Sequence, residues 1–189
     1  MEDMNVVRLS GRLMYAEKVN NVTKGMLKVE RNSGTADYIP FVTKQHISIH
    51  AEYVSLSGKV HTKNVQAEDG KNHKLIYVFA NNVFSNEYYE HKNSVEMECA
   101  LVRKDELRET PKGKTIMDIV VAANTKQGDS YYPSAIVWGS VAERLSKLPI
   151  GTRLHICGRF QSREYFKETE TGRQVRTAYE ISVATAEEV

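Results

Sequence analysis

The sequence predicts an all-β chain with one short helix, folded as two five-stranded Greek-key barrels in tandem. Three observations predict it. Short segments alternate apolar and polar residues, one stretch in the second half has helical spacing, and the first half of the chain answers the second. A length of 189 residues suits two domains of roughly 90 residues each. The division falls at residues 1–90 and 91–189.

The first element, Val6–Met14, sets Val7, Leu9, Gly11 and Leu13 on one face and Arg8, Ser10 and Arg12 on the other, the period of a half-buried strand. Val54–Val65 and Leu75–Val83 are also β-like. The second half gives strands near Val95–Arg103, Thr115–Ala123, Tyr131–Trp138, Arg153–Phe166 and Val175–Ala184. The helix is Gly139–Leu148, with Val141, Ala142, Leu145 and Leu148 on one stripe.

The repeat is read position by position. Asn5-Val-Val-Arg-Leu-Ser-Gly-Arg-Leu13 answers Asn93-Ser-Val-Glu-Met-Glu-Cys-Ala-Leu101, and Thr23-Lys-Gly25 answers Pro111-Lys-Gly113. Leu56-Ser-Gly-Lys-Val60 answers Ile156-Cys-Gly-Arg-Phe160. The counterparts drift apart because the second copy carries extra residues between Trp138 and Leu154. The matching stretch Lys44 to Val54 is shorter, so the first domain is expected to have a reduced helix or none. Tyr88-Tyr-Glu-His-Lys-Asn93 is the junction, short enough to keep the domains packed together. Five strands with a helix after the third fit a barrel of OB type, although strand count alone does not separate it from an SH3-like barrel.

Composition narrows the chemistry. With 41% hydrophobic and 26% charged residues the chain is ordinary for a globular protein. A net charge of +2 and a pI near 8.4 do not announce a nucleic-acid binder, so any such footprint must come from local clustering. Cys99 and Cys157 have no CxxC spacing and read as small core residues in a reducing compartment. The N-terminal MEDMNVVRLSGRL has no secretory pattern, and no apolar run approaches the ~18 residues of a membrane span. A cytoplasmic location is expected. Neither a GxxxxGK[ST] loop nor HExxH occurs. His155 and Cys157 share a strand face and read as an inward pair in the barrel. His46 and His50 lack a completing ligand, and Gly70 and Gly172 are lone hairpin glycines. No catalysis, cofactor or metal is expected.

The second half resembles the bacterial and phage single-stranded DNA-binding (SSB) family over nearly its whole length. The segments that carry the resemblance are Thr110-Pro-Lys-Gly-Lys114 with Ile119-Val-Val-Ala-Ala-Asn124, then Tyr132-Pro-Ser-Ala-Ile-Val-Trp-Gly-Ser-Val-Ala-Glu143. Gly151-Thr-Arg-Leu-His-Ile-Cys-Gly-Arg-Phe160 follows, continuing through Tyr165 to Arg176 and Tyr179. The first half looks like a degenerate copy, in Asp37-Tyr-Ile-Pro-Phe41 and Val54-Ser-Leu-Ser-Gly-Lys-Val60.

The resemblance implies sequence-tolerant binding of single-stranded DNA, in replication, recombination or repair. Such binding uses aromatic faces for bases and cations for phosphates. Alternation puts Tyr132, Ser134, Ile136 and Trp138 on one face of their strand, opposite Pro133, Ala135 and Val137. It likewise groups Arg159, Gln161, Arg163 and Tyr165, with Phe160 opposite. Tyr132, Trp138 and Tyr165 are therefore expected to share one concave surface with Arg159 and Arg163, and the resemblance assigns the three aromatics to stacking. The alternative is that they fill the barrel interior, the role expected of Phe160 and Tyr179. Tyr131 and Phe166 fit either. Lys112, Lys114 and Arg176, on two hairpins, are candidate phosphate contacts or solvated turn residues. In the first domain Tyr38 answers Tyr132, but Lys44 answers Trp138 and Val65 answers Tyr165, while Lys59 and Lys63 answer Arg159 and Arg163. That domain is expected to contact phosphate more than base, or to be a structural partner.

SSB-like domains pair through their first strands. Arg8 and Arg12 on one and Glu96 and Glu98 on the other are expected to favour pairing of unlike domains; the alternative is two solvated strand faces. Two such chains, a homodimer, would supply four OB folds. The family's acidic C-terminal tip has no match in Ala184-Thr-Ala-Glu-Glu-Val189, which shifts the expectation towards a specialised role on a mobile element, in DNA uptake or in primosome-like assembly. Two other readings stay open: an assembly factor resembling the primosomal replication protein N family, with weak DNA binding, and an RNA-binding OB protein.

Overall fold

The computed structural model describes residues 2–48, 51–66, 72–169 and 172–189. The first half holds β1 (Asn5–Val19), β2 (Val22–Glu30), β3 (Ala36–Thr43), β4 (Tyr53–Gln66) and β5 (Asn72–Asn86). The second holds β6 (Lys92–Lys104), β7 (Arg108–Glu109), β8 (Thr115–Asn124), β9 (Ser130–Tyr131), β10 (Ser134–Trp138), α1 (Gly139–Ser146), β11 (Arg153–Thr169) and β12 (Gly172–Glu188). His50, Gly70, Glu170 and Thr171 lie outside the described residues.

The strands close twice. β1 pairs with β2, β2 with β3, β3 with β5, β5 with β4 and β4 with β1. The second circuit is β6–β8–β10–β12–β11 and back to β6. In each circuit one pair is parallel, β3–β5 and β10–β12, the Greek-key closure of an OB barrel. The chain is thus all-β with one short helix, as its periodicity predicts. Core residues follow the alternation: Val7 and Leu9 are buried while Arg8 and Arg12 are exposed. α1 buries Ala142 and Leu145 against β8, β10 and β12. It begins at Gly139, whose φ of 53° favours glycine. In the first barrel the described residues between β3 and β4 form no helix, and Ile47 joins the core from that connection.

The internal repeat is visible atom by atom. Asn5 donates from Nδ2 to Val60 O at 2.9 Å and accepts at Oδ1 from Val60 N at 2.9 Å. Asn93 does the same to Phe160, at 2.7 and 2.9 Å. Each asparagine amide thereby continues the ladder of its first strand. Gly58 and Gly158 also match: each sits at a register shift, with Asn81 the extra residue on β5 and Ala184 on β12. The β-bulges bend these long hairpins around their barrels.

β1 and β6 pair antiparallel from Asn5↔Met97 to Ser10↔Lys92, with Val7 opposite Val95, both buried. The barrels are related across this seam by an approximate twofold. Tyr38 N donates to Ser162 Oγ at 2.9 Å, and its counterpart Tyr132 N donates to Thr62 Oγ1 at 2.9 Å. Two of the four charges expected at the seam take other partners. Arg12 meets Glu52 at 3.5 Å, Glu96 meets His155 at 3.3 Å, Arg8 is exposed, and Glu98 is half-buried. Among the described residues none of the four pairs with another. Among the described residues, Asp3–Arg153 is an ion pair that crosses the halves, at 2.5 and 3.1 Å. Burial opposes ionisation of Asp3. The Arg153 guanidinium and the Asn124 amide outweigh it and hold the carboxyl below the usual range.

Cys99 is buried in the core, which pushes its thiol up to about 12. His155 and Cys157 do not point inward as expected. Both are half-buried on the outer face, because their neighbours Leu154 and Ile156 take the core side of β11.

Candidate nucleic-acid interface

Trp138 ends β10 and turns its ring outward. Its indole Nε1 donates to Ser182 Oγ on β12 at 3.2 Å, which fixes the ring edge and leaves a face beside an open cavity of about 660 Å³. Lys114, Cys157 and Arg159 line the same cavity. Arg159 donates from Nη2 to Gln161 Oε1 at 3.1 Å, and its Nε is buried without a partner. Burial, then the nearby Arg31 charge, lowers its pKa from the ordinary arginine value. Desolvated, repelled by Arg31 and short of acceptors, this guanidinium is suited to an anion.

The other two aromatics line separate depressions. Tyr165 lies opposite Arg176 in the β11–β12 ladder and lines a second cavity of about 520 Å³ with Arg163, Arg176, Lys74 and Arg103. The Arg163 guanidinium is 5.9 Å from the Tyr165 ring centroid. Tyr132, 44% exposed, lines a third depression, which shares Lys74 and Arg103 with the second. Ile136 stands between Ser134 and Trp138 on the outward side of β10 and is only 4% exposed. Gln161 and Glu180 are each 5% exposed and bonded to one another at 2.7 Å, and Glu180 also meets Arg163 at 3.4 Å. Next to them β3 of the first barrel packs on β11. There Asp37 accepts Ser162 N at 2.9 Å and holds Arg31 at 2.6 and 2.8 Å. Contact between the barrels therefore runs along β11 at Ser162, beside the expected surface. Lys112 is exposed in the β7–β8 turn; Phe160 is fully buried, Tyr179 packs half-buried on the core, and Phe166 lies exposed beneath the Arg173 guanidinium at 3.8 Å.

In the first barrel Tyr38 is exposed beside Ser162, Lys44 and Lys63 are exposed, and Lys59 is ion-paired with Glu2. Sequence reasoning missed its aromatic surface. His61, at the position of Gln161, stacks on Phe79 (5.0 Å, 12°) and on Tyr131 (4.0 Å, 22°), with the Tyr77 ring edge-on at 5.8 Å. Lys59 lines the adjoining cavity of about 220 Å³. Phe79 occupies the place of Ser182, so an aromatic absent at Lys44 is present on the neighbouring strand. The signal lay in β5, where Tyr77 and Phe79 alternate with Ile76 and Val78.

Burial, then the Lys59 charge, lowers the His61 pKa to about 4. The unfolded chain takes up this proton near pH 6.5 and the folded one near pH 4. The stack therefore contributes most above pH 6.5, and stability falls as the pH drops towards 4, by at most about 3 kcal/mol from this group. Urea midpoints of the wild type and His61→Phe across that window check it: the variant should show the shallower decline, and parallel curves would remove His61 as the cause.

The model of the Single-strand binding protein family matches residues 92–189. The wild-type single-stranded DNA binding protein from Thermus aquaticus superposes with a TM-score of 0.77 at 18% identity, covering 100% of this chain and 94% of that one. A deletion mutant of that protein gives 0.75 at 18% identity, covering 100% and 95%. No curated protein sequence matches the chain. The solved structures share the fold of the whole chain, and the family match spans the barrel that carries Trp138, Arg159 and Lys114: the chain belongs to the single-strand binding protein family.

Proposed function

We propose that the chain binds single-stranded DNA without strong sequence preference, by stacking bases on exposed aromatic rings and holding phosphates with nearby cations. The observation that carries this reading is the open cavity shared by Trp138, Arg159 and Lys114. It offers a ring face, an underpartnered guanidinium and an exposed ammonium within one depression, in the half of the chain that matches the family. The Tyr165–Arg163–Arg176 cavity and the His61–Phe79–Tyr131 stack with Lys59 extend the path to other faces of the molecule. The first barrel on this reading contacts bases as well as phosphates. The work is binding, with no bond made or broken. A homodimer with four barrels follows the same reading, and light scattering should then give about twice the chain mass of 21.5 kDa.

The test is a titration with oligo-dT of about 35 nucleotides, following anisotropy and the fluorescence of Trp138, the one tryptophan. Quenching and salt-sensitive binding are expected, with duplex DNA bound far more weakly. Trp138→Ala should weaken binding roughly 5- to 150-fold, the loss of one stacked base. Arg159→Ala and Lys114→Ala should each reduce the slope of log K against log salt by about 0.7. Absence of binding at low salt would sink the proposal and leave a pair of OB barrels that assembles proteins. Preference for RNA over the same DNA sequence would redirect it to RNA.

A further inference from the structure

On the outer face of the β6–β11 ladder, Glu96 and Cys157 stand directly opposite one another, and His155 lies two residues along β11 on the same side. His155 Nε2 is 3.3 Å from Glu96 Oε1 and 3.8 Å from Cys157 Sγ, and the three donor atoms lie within 4.8 Å of one another. All three side chains are half-buried, which leaves them open to entry from solvent.

We propose that Glu96, His155 and Cys157 hold a divalent ion of the zinc class. A tetrahedral zinc with bonds of ~2.0–2.3 Å sets its ligand atoms ~3.3–3.7 Å apart, close to the spacing found here without an ion. The donor set of one sulfur, one nitrogen and one oxygen suits zinc and excludes magnesium and calcium, which take oxygen. The trio also has the composition of a nucleophile–base–carboxylate relay, but the geometry argues against one. A relay puts the thiol and the carboxylate at opposite ring nitrogens, whereas here both approach Nε2. Convergence of three donors on one point is the arrangement of a metal site. The repeat of the fold does not require these residues either: the same positions in the first barrel hold Arg8, Ser55 and Ser57, which offer no comparable set. Cys157 also lines the cavity beside Trp138, which gives an ion a route in and room for water as the fourth ligand.

The test is titration of the chelator-treated full chain with Co²⁺, read by absorption, followed by displacement with Zn²⁺. The expected result is one ion per chain, with ligand-field bands and a thiolate-to-cobalt charge-transfer band that Zn²⁺ abolishes. Cys157→Ser should remove the charge-transfer band, and His155→Ala and Glu96→Gln should each weaken binding at least about tenfold. Far-UV circular dichroism of the metal-free variants shows whether each remains folded, and His155→Ala decides the matter if Cys157→Ser does not. A wild-type chain without the charge-transfer band, or a band that persists undiminished in folded His155→Ala, overturns the proposal.

Discussion

Gly158→Ala and Gly58→Ala are each expected to cost upwards of about 4 kcal/mol of stability. At Gly158 a Cβ would overlap the Ser182 carbonyl oxygen and lie 3.0 Å from Val183 Cα. At Gly58 it would overlap the Phe79 carbonyl oxygen and lie 2.8 Å from Ala80 Cα. The obstacles are backbone atoms of the paired strand, so no rotamer change relieves them. Only opening the bulge between β11 and β12, or between β4 and β5, makes room. The bulges are what bend these hairpins enough to close each barrel, so opening them strains the closure as well. For a chain of this size the change corresponds to a fall in Tm of roughly 8–16 °C. Gly113→Ala is the contrast. Its φ of 73° makes an alanine strained, but nothing lies within 4 Å, so the loss should stay near 1 kcal/mol. Equal melting temperatures for Gly158→Ala and Gly113→Ala would show that the bulges yield.

The same two glycines explain how much of the fold the sequence carries. Leu56-Ser-Gly-Lys-Val60 and Ile156-Cys-Gly-Arg-Phe160 are alike because both barrels need a residue without a side chain at the bulge. Asn5 and Asn93 are alike because each uses its amide as a rung of the ladder. Features required by local geometry repeat, and repetition makes them legible. The site is legible only in part. Alternation groups Trp138 with Tyr132 and Ser134 and groups Arg159 with Arg163, which points both groups to a polar face, and the structure puts Trp138 and Arg159 in one cavity. It gives no account of what lies beside that face elsewhere, and Asp37 and Arg31 come from the β2–β3 hairpin, more than a hundred residues away in sequence. Alternation also carries no absolute phase: His155 and Cys157 share a face, but only the core preference of Leu154 and Ile156 says that it is the outer one. The His61 stack escaped a position-by-position comparison because the aromatic ring moved from the end of β3 to β5, a change of strand that leaves the surface aromatic while breaking the alignment.

Asp37→Ala is expected to destabilise the chain by about 3–5 kcal/mol, the cost of breaking a buried ion pair on one side. The Asp37 side chain is 0% exposed, and it accepts three hydrogen bonds, two from Arg31 and one from Ser162 N. Removal of the carboxylate strands the Ser162 amide and leaves the Arg31 guanidinium, 25% exposed, without its partner. Because Arg31 keeps a path to water, the value should fall near the lower end of the range. The pair joins the β2–β3 hairpin of the first barrel to β11 of the second, so its loss loosens the barrels as well as the hairpin. Arg159 lies beside it and feels both charges, which ties the same contact to the DNA surface. Asp37→Ala should therefore lower the urea midpoint; where oligo-dT binding weakens as well, loosening of β11 is the cause, because loss of a carboxylate beside Arg159 on its own favours phosphate. The double variant Asp37→Leu with Arg31→Met separates the causes. If the loss comes from a stranded charge, the apolar pair should recover much of it, since a buried ion pair is close to neutral against apolar side chains of similar volume. If the double variant is as unstable as Asp37→Ala, the hydrogen bond to Ser162 N is what holds the two barrels in place.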